Sequence, residues 1–327
     1  MKIRASIAVA LSLFSFNAAV VHAAETAQQF PSRPMKIIVP YSPGGTTDLL
    51  ARLIGKYLSD NWKQPVIVEN KPGVNGMLGS DLVAKAAADG YTLGIASPGS
   101  HAANASLYAK VTYDTIKDFT PVTLAVSAPL LLVAHPSLGV KNVKELIALA
   151  KAKPNSISYA SGGSGSSQHL AMEQFNSTAG LQMTHVAYKG SAASYIDLIG
   201  GEVKLEFDVL PTSMPHTKSG KLLALAVASS ARVPQLPNVP TVAESGLPGF
   251  ESSSWYGFVA PANLPADILA KLNTEIVKAL KSPAIAEALD KAGVVVVAGT
   301  PEQFAIHIKE EVAKAGKIIR AANIKAD

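Results

Sequence analysis

No cysteine occurs anywhere in the 327 residues. That excludes disulfides, thiolate metal sites, cysteine nucleophiles and a lipidated N-terminal cysteine. Charge is sparse too, with Asp, Glu, Lys and Arg together making up only 16% of the chain. Setting Lys2 and Arg4 aside from the 29 basic residues leaves 27 against 24 acidic ones, a net +3. So small a surplus, with no Lys/Arg stripe and no interleaved aromatics, excludes a nucleic-acid partner. Past the N-terminus no apolar run reaches the roughly 20 residues of a membrane-spanning helix. Leu130–Ala134 and Val294–Ala298 have only strand length. His101, His135, His169, His185, His216 and His307 show no metal-ligand spacing, so neither a metal nor a cofactor is expected. The glycine runs fit neither a P-loop nor a dinucleotide fingerprint. "GGSGSS" is not a nucleophile elbow, because Ser166 takes the final glycine position. Internal repeats and low-complexity tracts are absent.

What remains is a chain that is 48% hydrophobic, enough for a packed core, and long enough for two domains. Its first 24 residues carry a basic start (Lys2, Arg4), an apolar run from Ala5 to Val20, and Val21-His22-Ala23 where a signal peptidase cuts. This predicts export, with cleavage after Ala23 or Ala24.

The mature sequence alternates strand, small-residue loop and helix. Met35–Pro40 reads as a buried strand and "YSPGGTTD" as a loop. Leu49, Leu50, Leu53, Ile54, Tyr57 and Leu58 follow at helical spacing. Val66–Glu69, "NKPGVNG" and Met77–Ala88 repeat the pattern, as do Thr92–Ala96 and Ser97-Pro98-Gly99. A long apolar stretch, Val122–Ala134, predicts a strand that leaves one sheet for a second. There Ile157–Ala160, "SGGSGSSQ" and His169–Thr178, then Met183–Val186, "YKGSAAS" and Tyr195–Ile199, repeat the pattern. Strands at Val203–Val209 and Leu222–Ala228 and a Pro-rich connection, Val233–Glu251, lead to "SWYGFVAP" and closing helices at Pro265–Leu280, Pro283–Ala292 and Pro301–Ala322. The expected fold is α/β, with mainly parallel sheets in two lobes and a double crossover between them. The expected lobes are 25–129 with 253–327, and 130–252.

Open parallel sheets bind ligands at the carboxyl ends of strands, where loops enter helices. Tyr41–Asp48, Ser161–Gln168 and Lys189–Ser194 hold that position. A helix N-terminus offers unpaired N–H groups and about half a positive charge, so it takes an anion without a cationic side chain. Each loop, taken alone, is also readable as a plain βα turn with an ordinary cap, Thr46 on one and Ser166 or Ser167 on another. Three of them across both lobes point to a cleft for a small organic carboxylate held by backbone N–H groups of Gly44–Thr47 and Gly163–Ser166. Asp48 reads as a helix-dipole partner or a loop anchor, and Lys189 as a solvated lysine or an anion partner. His169 suits packing or capping better than a base for a serine.

The segments "VPYSPGGTTDLLAR" (Val39–Arg52), "VIVENKPGVNG" (Val66–Gly76), "DGYTL" (Asp89–Leu93), "DFTPVTL" (Asp118–Leu124) and "YASGGSGSSQHLAMEQF" (Tyr159–Phe175) occur in that order. "HVAYKGS" (His185–Ser191), "LPNVPTVAESGLPGFE" (Leu236–Glu251) and "SWYGFVAP" (Ser254–Pro261) follow. Together they resemble the Bug family, solute receptors of tripartite tricarboxylate transporters, over essentially all of the mature chain. The resemblance implies a monomeric periplasmic receptor, not an enzyme, with a type II-like periplasmic-binding-protein fold and the transporter's membrane subunits as partners. Carried over by position, its ligand loops are Tyr41, Pro43, Gly44, Gly45, Thr46, Thr47 and Asp48 in one lobe. In the other they are Ser161, Gly163, Ser164, Gly165, Ser166 and His169, with Lys189, Gly190 and Ser191 beside them and Ser97 and Asp208 at strand ends. Tyr41 departs from the family's usual Phe; Ala88, Ala187 and Ala193 stand where Pro is usual. The competing functions are a receptor that signals to a membrane sensor and a serine hydrolase using Ser164 or Ser166 with His169.

Overall fold

The structure, a computed structural model, describes residues 26–326. The expected signal peptide at residues 1–24 lies outside the described residues. No described helix is long and apolar enough to cross a membrane.

The chain opens on β1 (Met35–Val39), whose apolar side chains are buried apart from Lys36. Helix α1 (Thr46–Trp62), β2 (Val66–Asn70), α2 (Met77–Ala84) and β3 (Thr92–Ala96) follow. β1 lies between β2 and β3, parallel to both. Fully burying one Leu or Ile side chain contributes roughly 1.5–3 kcal/mol. Leu50, Ile54 and Leu58 of α1 are each 0% exposed; their 3.6-residue spacing is what sets the helix against the sheet.

A π-helical turn (Gly99–Ala103) runs into α3 (Asn104–Leu107) and then into β4 (Phe119–Ala134), 16 residues long. β4 is the structural hinge of the topology. Its residues 119–129 pair antiparallel with β9 (Ser253–Pro261). Leu130–Ala134 pair instead with β7 (Leu205–Val209) and β8 (Leu223–Val227). Leu130 and Leu132 enter one apolar cluster and Leu131 and Val133 another. Alternate residues of a strand face opposite sides, so this segment is buried on both faces.

The second sheet adds β5 (Ser158–Ser161) between β7 and β6 (Thr184–Ala187), parallel to both. It is covered by α4 (Val143–Ala152), α5 (Ser167–Ala179), α6 (Ser191–Gly200) and α7 (Leu210–Lys218). β9 returns the chain to the first sheet, pairing with β3 and β4. Helices α8 (Ala266–Leu280), α9 (Pro283–Lys291) and α10 (Pro301–Ala321) then close it, with β10 (Val295–Val296) paired to β4. The result is a two-lobed α/β molecule joined by two long antiparallel strands.

Local differences from the sequence reading have simple causes. α2 stops at Ala84, four residues early. The segments Gly99–Leu107 and α7 are helical although the sequence reading places no helix there. Pro211 sits in the first turn of α7, where its missing N–H costs nothing, and the helix also accommodates Pro215.

Candidate functional site

Loops from both sheets and the crossing strand β9 enclose one cavity of about 60 Å³. On this measure a water needs about 10–15 Å³, so the space matches a handful of waters or one small organic molecule. No Asp, Glu, Lys, Arg or His lines it among the described residues. An anion bound here therefore meets dipoles, not ions.

Three helix N-termini supply those dipoles. α1 begins with Gly45 as its cap, extended at φ −86° and ψ 176°, with no side-chain cap. The first-turn N–H groups of Thr46 and Thr47 thus lack an intrahelical acceptor. α5 is capped by Ser166, whose hydroxyl accepts from the His169 N–H, leaving the N–H groups of Ser167 and Gln168 open in the same first turn. α6 begins after Gly190, at φ 110° and again with no side-chain cap, leaving Ser191 and Ala192. All six of these residues line the cavity. Three ends of about half a positive charge each converge on one space.

The sequence-predicted residues divide around this geometry. Tyr41, Gly45, Thr46, Thr47, Ser97, Ser166, Gly190 and Ser191 line the cavity. Pro43 is exposed. The Gly44 N–H is already given to Asp48 Oδ2 at 3.1 Å. In the other loop Gly163 N–H donates to Ser161 Oγ at 3.2 Å, Gly165 N–H to His169 Nδ1 at 3.1 Å and Ser166 N–H to the Gly163 carbonyl at 3.0 Å. Of the expected donors, Gly163, Gly165 and Ser166 are thus turned inward, and the helix's own open N–H groups start at Ser167. Gly163 and Ser164 face a side groove of about 290 Å³ instead, together with Lys189. Lys189 is exposed, and its carbonyl accepts from Ser42 Oγ at 3.1 Å, tying the two loops together. Ser167, Gln168, Ala192, Ser254 and Tyr256 were missed. The first three follow from counting one or two residues past each cap; no sequence signal marks the last two.

Side chains beneath the surface hold the loops. Asp48 bonds Arg52 at 3.0 Å and 2.9 Å and accepts the Gly44 N–H. Burial pushes its carboxyl up, but the Arg52 and Gly44 hydrogen bonds outweigh that and hold it below its ordinary value. The Tyr41 hydroxyl bonds Ser97 Oγ at 2.8 Å, and burial pushes the phenol up. The His169 and His185 rings stack at 3.7 Å. Burial, helped by His185, pushes His169 down to about 3, so it is neutral. His185 Nε2 lies 2.6 Å from Ser161 Oγ. With its Nδ1 accepting from Gly165, His169 is a packing residue and not a base aimed at a serine.

Asp208 is buried under the cavity floor. Its Oδ1 accepts from Ser191 Oγ at 2.9 Å and Gln168 Nε2 at 3.0 Å, and its Oδ2 accepts from Thr212 Oγ1. Two residues earlier on β7, Glu206 accepts from Ser194 Oγ with both oxygens. Burial pushes both carboxyls up, Glu206 well above its ordinary value and further raised by Asp208.

Known proteins resemble this chain in sequence and fold. Residues 50–324 match the family described as "Tripartite tricarboxylate transporter family receptor". Protein BugT of Bordetella pertussis is 38% identical over 301 residues, 92% of each chain. A protein of R. palustris solved with adipate superposes at a TM-score of 0.88, with 38% identity over 91% of this chain and 100% of that one. MatC from Rhodopseudomonas palustris, with bound malate, superposes at 0.83, with 32% identity over 89% of this chain and 100% of that one. With its family match running through nearly the whole described chain, and two lobes around an uncharged cleft, the chain belongs to the tripartite tricarboxylate transporter family of receptors, as a Bug-type solute-binding protein and not an enzyme.

Proposed function

We propose that this receptor captures a small organic carboxylate in the periplasm and delivers it to the membrane subunits of a tripartite tricarboxylate transporter. One observation carries the reading: three helix N-termini without cationic side chains converge on one cavity sized for a small molecule. The carboxylates sit on the N–H groups of Thr46–Thr47, Ser167–Gln168 and Ser191–Ala192. A charge-assisted hydrogen bond contributes about 1.5–3 kcal/mol, so two donors per carboxylate sustain micromolar binding without an arginine. Adipate and malate in the two solved relatives support the ligand class. The basic and apolar N-terminal pattern supports export.

The lobes, residues 25–129 with 253–327 and residues 130–252, close about β4 and β9. A ligand touching both lobes favours the closed form by its differential affinity. The test is a thermal-shift screen over C4 to C6 di- and tricarboxylates, acidic amino acids and aromatic carboxylates. A ligand at 100 times its Kd adds about 2.7 kcal/mol of stability. A saturating shift from one of these acids is expected; none from any of them overturns the reading.

A further inference from the structure

The floor of the cleft has a hydrogen-bond polarity that the N–H groups above it do not share. Ser191 Oγ carries one hydrogen, and it points at Asp208 Oδ1, 2.9 Å away. Gln168 Nε2 stands 3.1 Å from the same Oγ and 3.0 Å from the same Oδ1. The end of the amide that faces a carboxylate oxygen and a serine already donating must be the nitrogen, since only it has hydrogens to give. Ser191 therefore turns a lone pair, not a hydrogen, towards the cleft.

This orientation survives protonation of Asp208. A proton on Oδ2 would be given to Thr212 Oγ1, whose own hydrogen has the Val209 carbonyl at 2.9 Å as an alternative acceptor. Oδ1 accepts in either state. The side chains that donate to Asp208, among them Gln168, Ser191 and Thr212, are neutral. A ligand carboxylate set against Ser191 Oγ would meet a lone pair in either state, and a buried like charge as well when Asp208 is ionised; a hydroxyl or an ammonium would meet neither obstacle.

We propose that Ser191 Oγ is a specificity-determining acceptor, with Asp208 as its positioning residue, and that it selects carboxylates carrying a hydrogen-bond donor on the carbon chain. The selection rests on the receptor reading above and narrows it: the helix ends take the carboxylates, and Ser191 takes a hydroxyl or ammonium between them. Within one skeleton, the compound with that donor outcompetes the one without it.

The probes are succinate, L-malate and L-aspartate, which differ in a hydrogen, a hydroxyl and an ammonium, and the pair tricarballylate and citrate. Calorimetry on the wild type is expected to give malate or aspartate at least a tenfold advantage over succinate, or citrate the same over tricarballylate. Ser191→Ala should bring that ratio to within about twofold. Asp208→Asn removes the charge but keeps an amide oxygen facing Ser191, so it should reduce an aspartate advantage and spare a malate or citrate one. That variant separates an ammonium ligand from a hydroxyl ligand. Succinate binding at least as tightly as both malate and aspartate, together with tricarballylate binding at least as tightly as citrate, overturns the inference, as does an unchanged ratio in Ser191→Ala. So does any donor-free acid that binds more tightly than all the hydroxylated and amino probes; in these cases the receptor reading stands. No binding by any carboxylate overturns the receptor reading itself.

Discussion

Replacing Gly45 by Asp separates the stability of α1 from its use as a ligand site. Gly45 already has the extended backbone of a helix cap, and a Cβ there meets nothing within 4 Å. Its carboxylate would accept from the open N–H groups of the first turn. Asp is a better cap than Gly by a few tenths of a kcal/mol, and the helix dipole adds about 0.3–1 kcal/mol. The unliganded variant should therefore melt at or slightly above the wild type. The same carboxylate occupies the donors meant for the ligand. Losing two charge-assisted bonds of about 1.5–3 kcal/mol each weakens binding by about 10²–10⁴-fold. At a ligand concentration that gives the wild type about 2.7 kcal/mol, the variant should gain about 0.4 kcal/mol or less. Gly45→Ala, which cannot accept a hydrogen bond, should keep more of the response. Thermal melts with and without ligand read both quantities at once. A normal ligand shift in Gly45→Asp refutes the claim that the α1 terminus holds the anion.

Gly165→Val should act in the opposite manner. At φ +77°, with a Cβ 2.6 Å from Leu107 Cδ2, it combines left-handed strain of about 1–2 kcal/mol with overpacking of about 1–3 kcal/mol. Urea unfolding should show a loss of about 2–5 kcal/mol, and a loss below 1 kcal/mol would contradict it. Lys189→Ala should weaken binding less than tenfold, and raising salt from 50 to 500 mM should change affinity less than threefold, because buried N–H donors are screened little; calorimetry checks both. Acid should unfold the protein in a defined window. Burial pushes His101 and His169 down from 6.5 to about 3, so stability is lost as pH falls from 6.5 towards 3. Glu206 and Asp208, pushed up, offset this only until their ordinary values of 4.5 and 3.8 are passed. Urea unfolding at pH 7, 5 and 3.5 should show the steepest loss in the last interval.

The long apolar run through Val122–Ala134 marked the strand that carries the chain from one sheet to the other, because a segment buried on both faces has few polar positions, here only Thr123 and Ser127. The loops at Tyr41–Asp48 and Ser161–Gln168 were visible through their glycines and hydroxyls. Which of their N–H groups remain open was not, since that depends on partners brought in by the fold: Asp48 for Gly44, Ser161 for Gly163, His169 for Gly165. Ser254 and Tyr256 stayed hidden because "SWYGFVAP" is apolar on both sides and its cleft-facing side is set only by pairing with β4. The π-helical turn after Ser97 and α7, with Pro211 and Pro215, lay in stretches that read as loop.

The convergence of three helix ends, two of them without a side-chain cap, has a consequence for the resting protein. Each end is a partial positive pole, and poles of one sign repel when brought together. Drawing the lobes shut around nothing would also strip water from N–H groups that then have no acceptor, at about 1–3 kcal/mol for each. An anion reverses both penalties at once. On the proposed reading, then, the field of the cleft would act as a latch with negative charge as its key, favouring closure only around an acid.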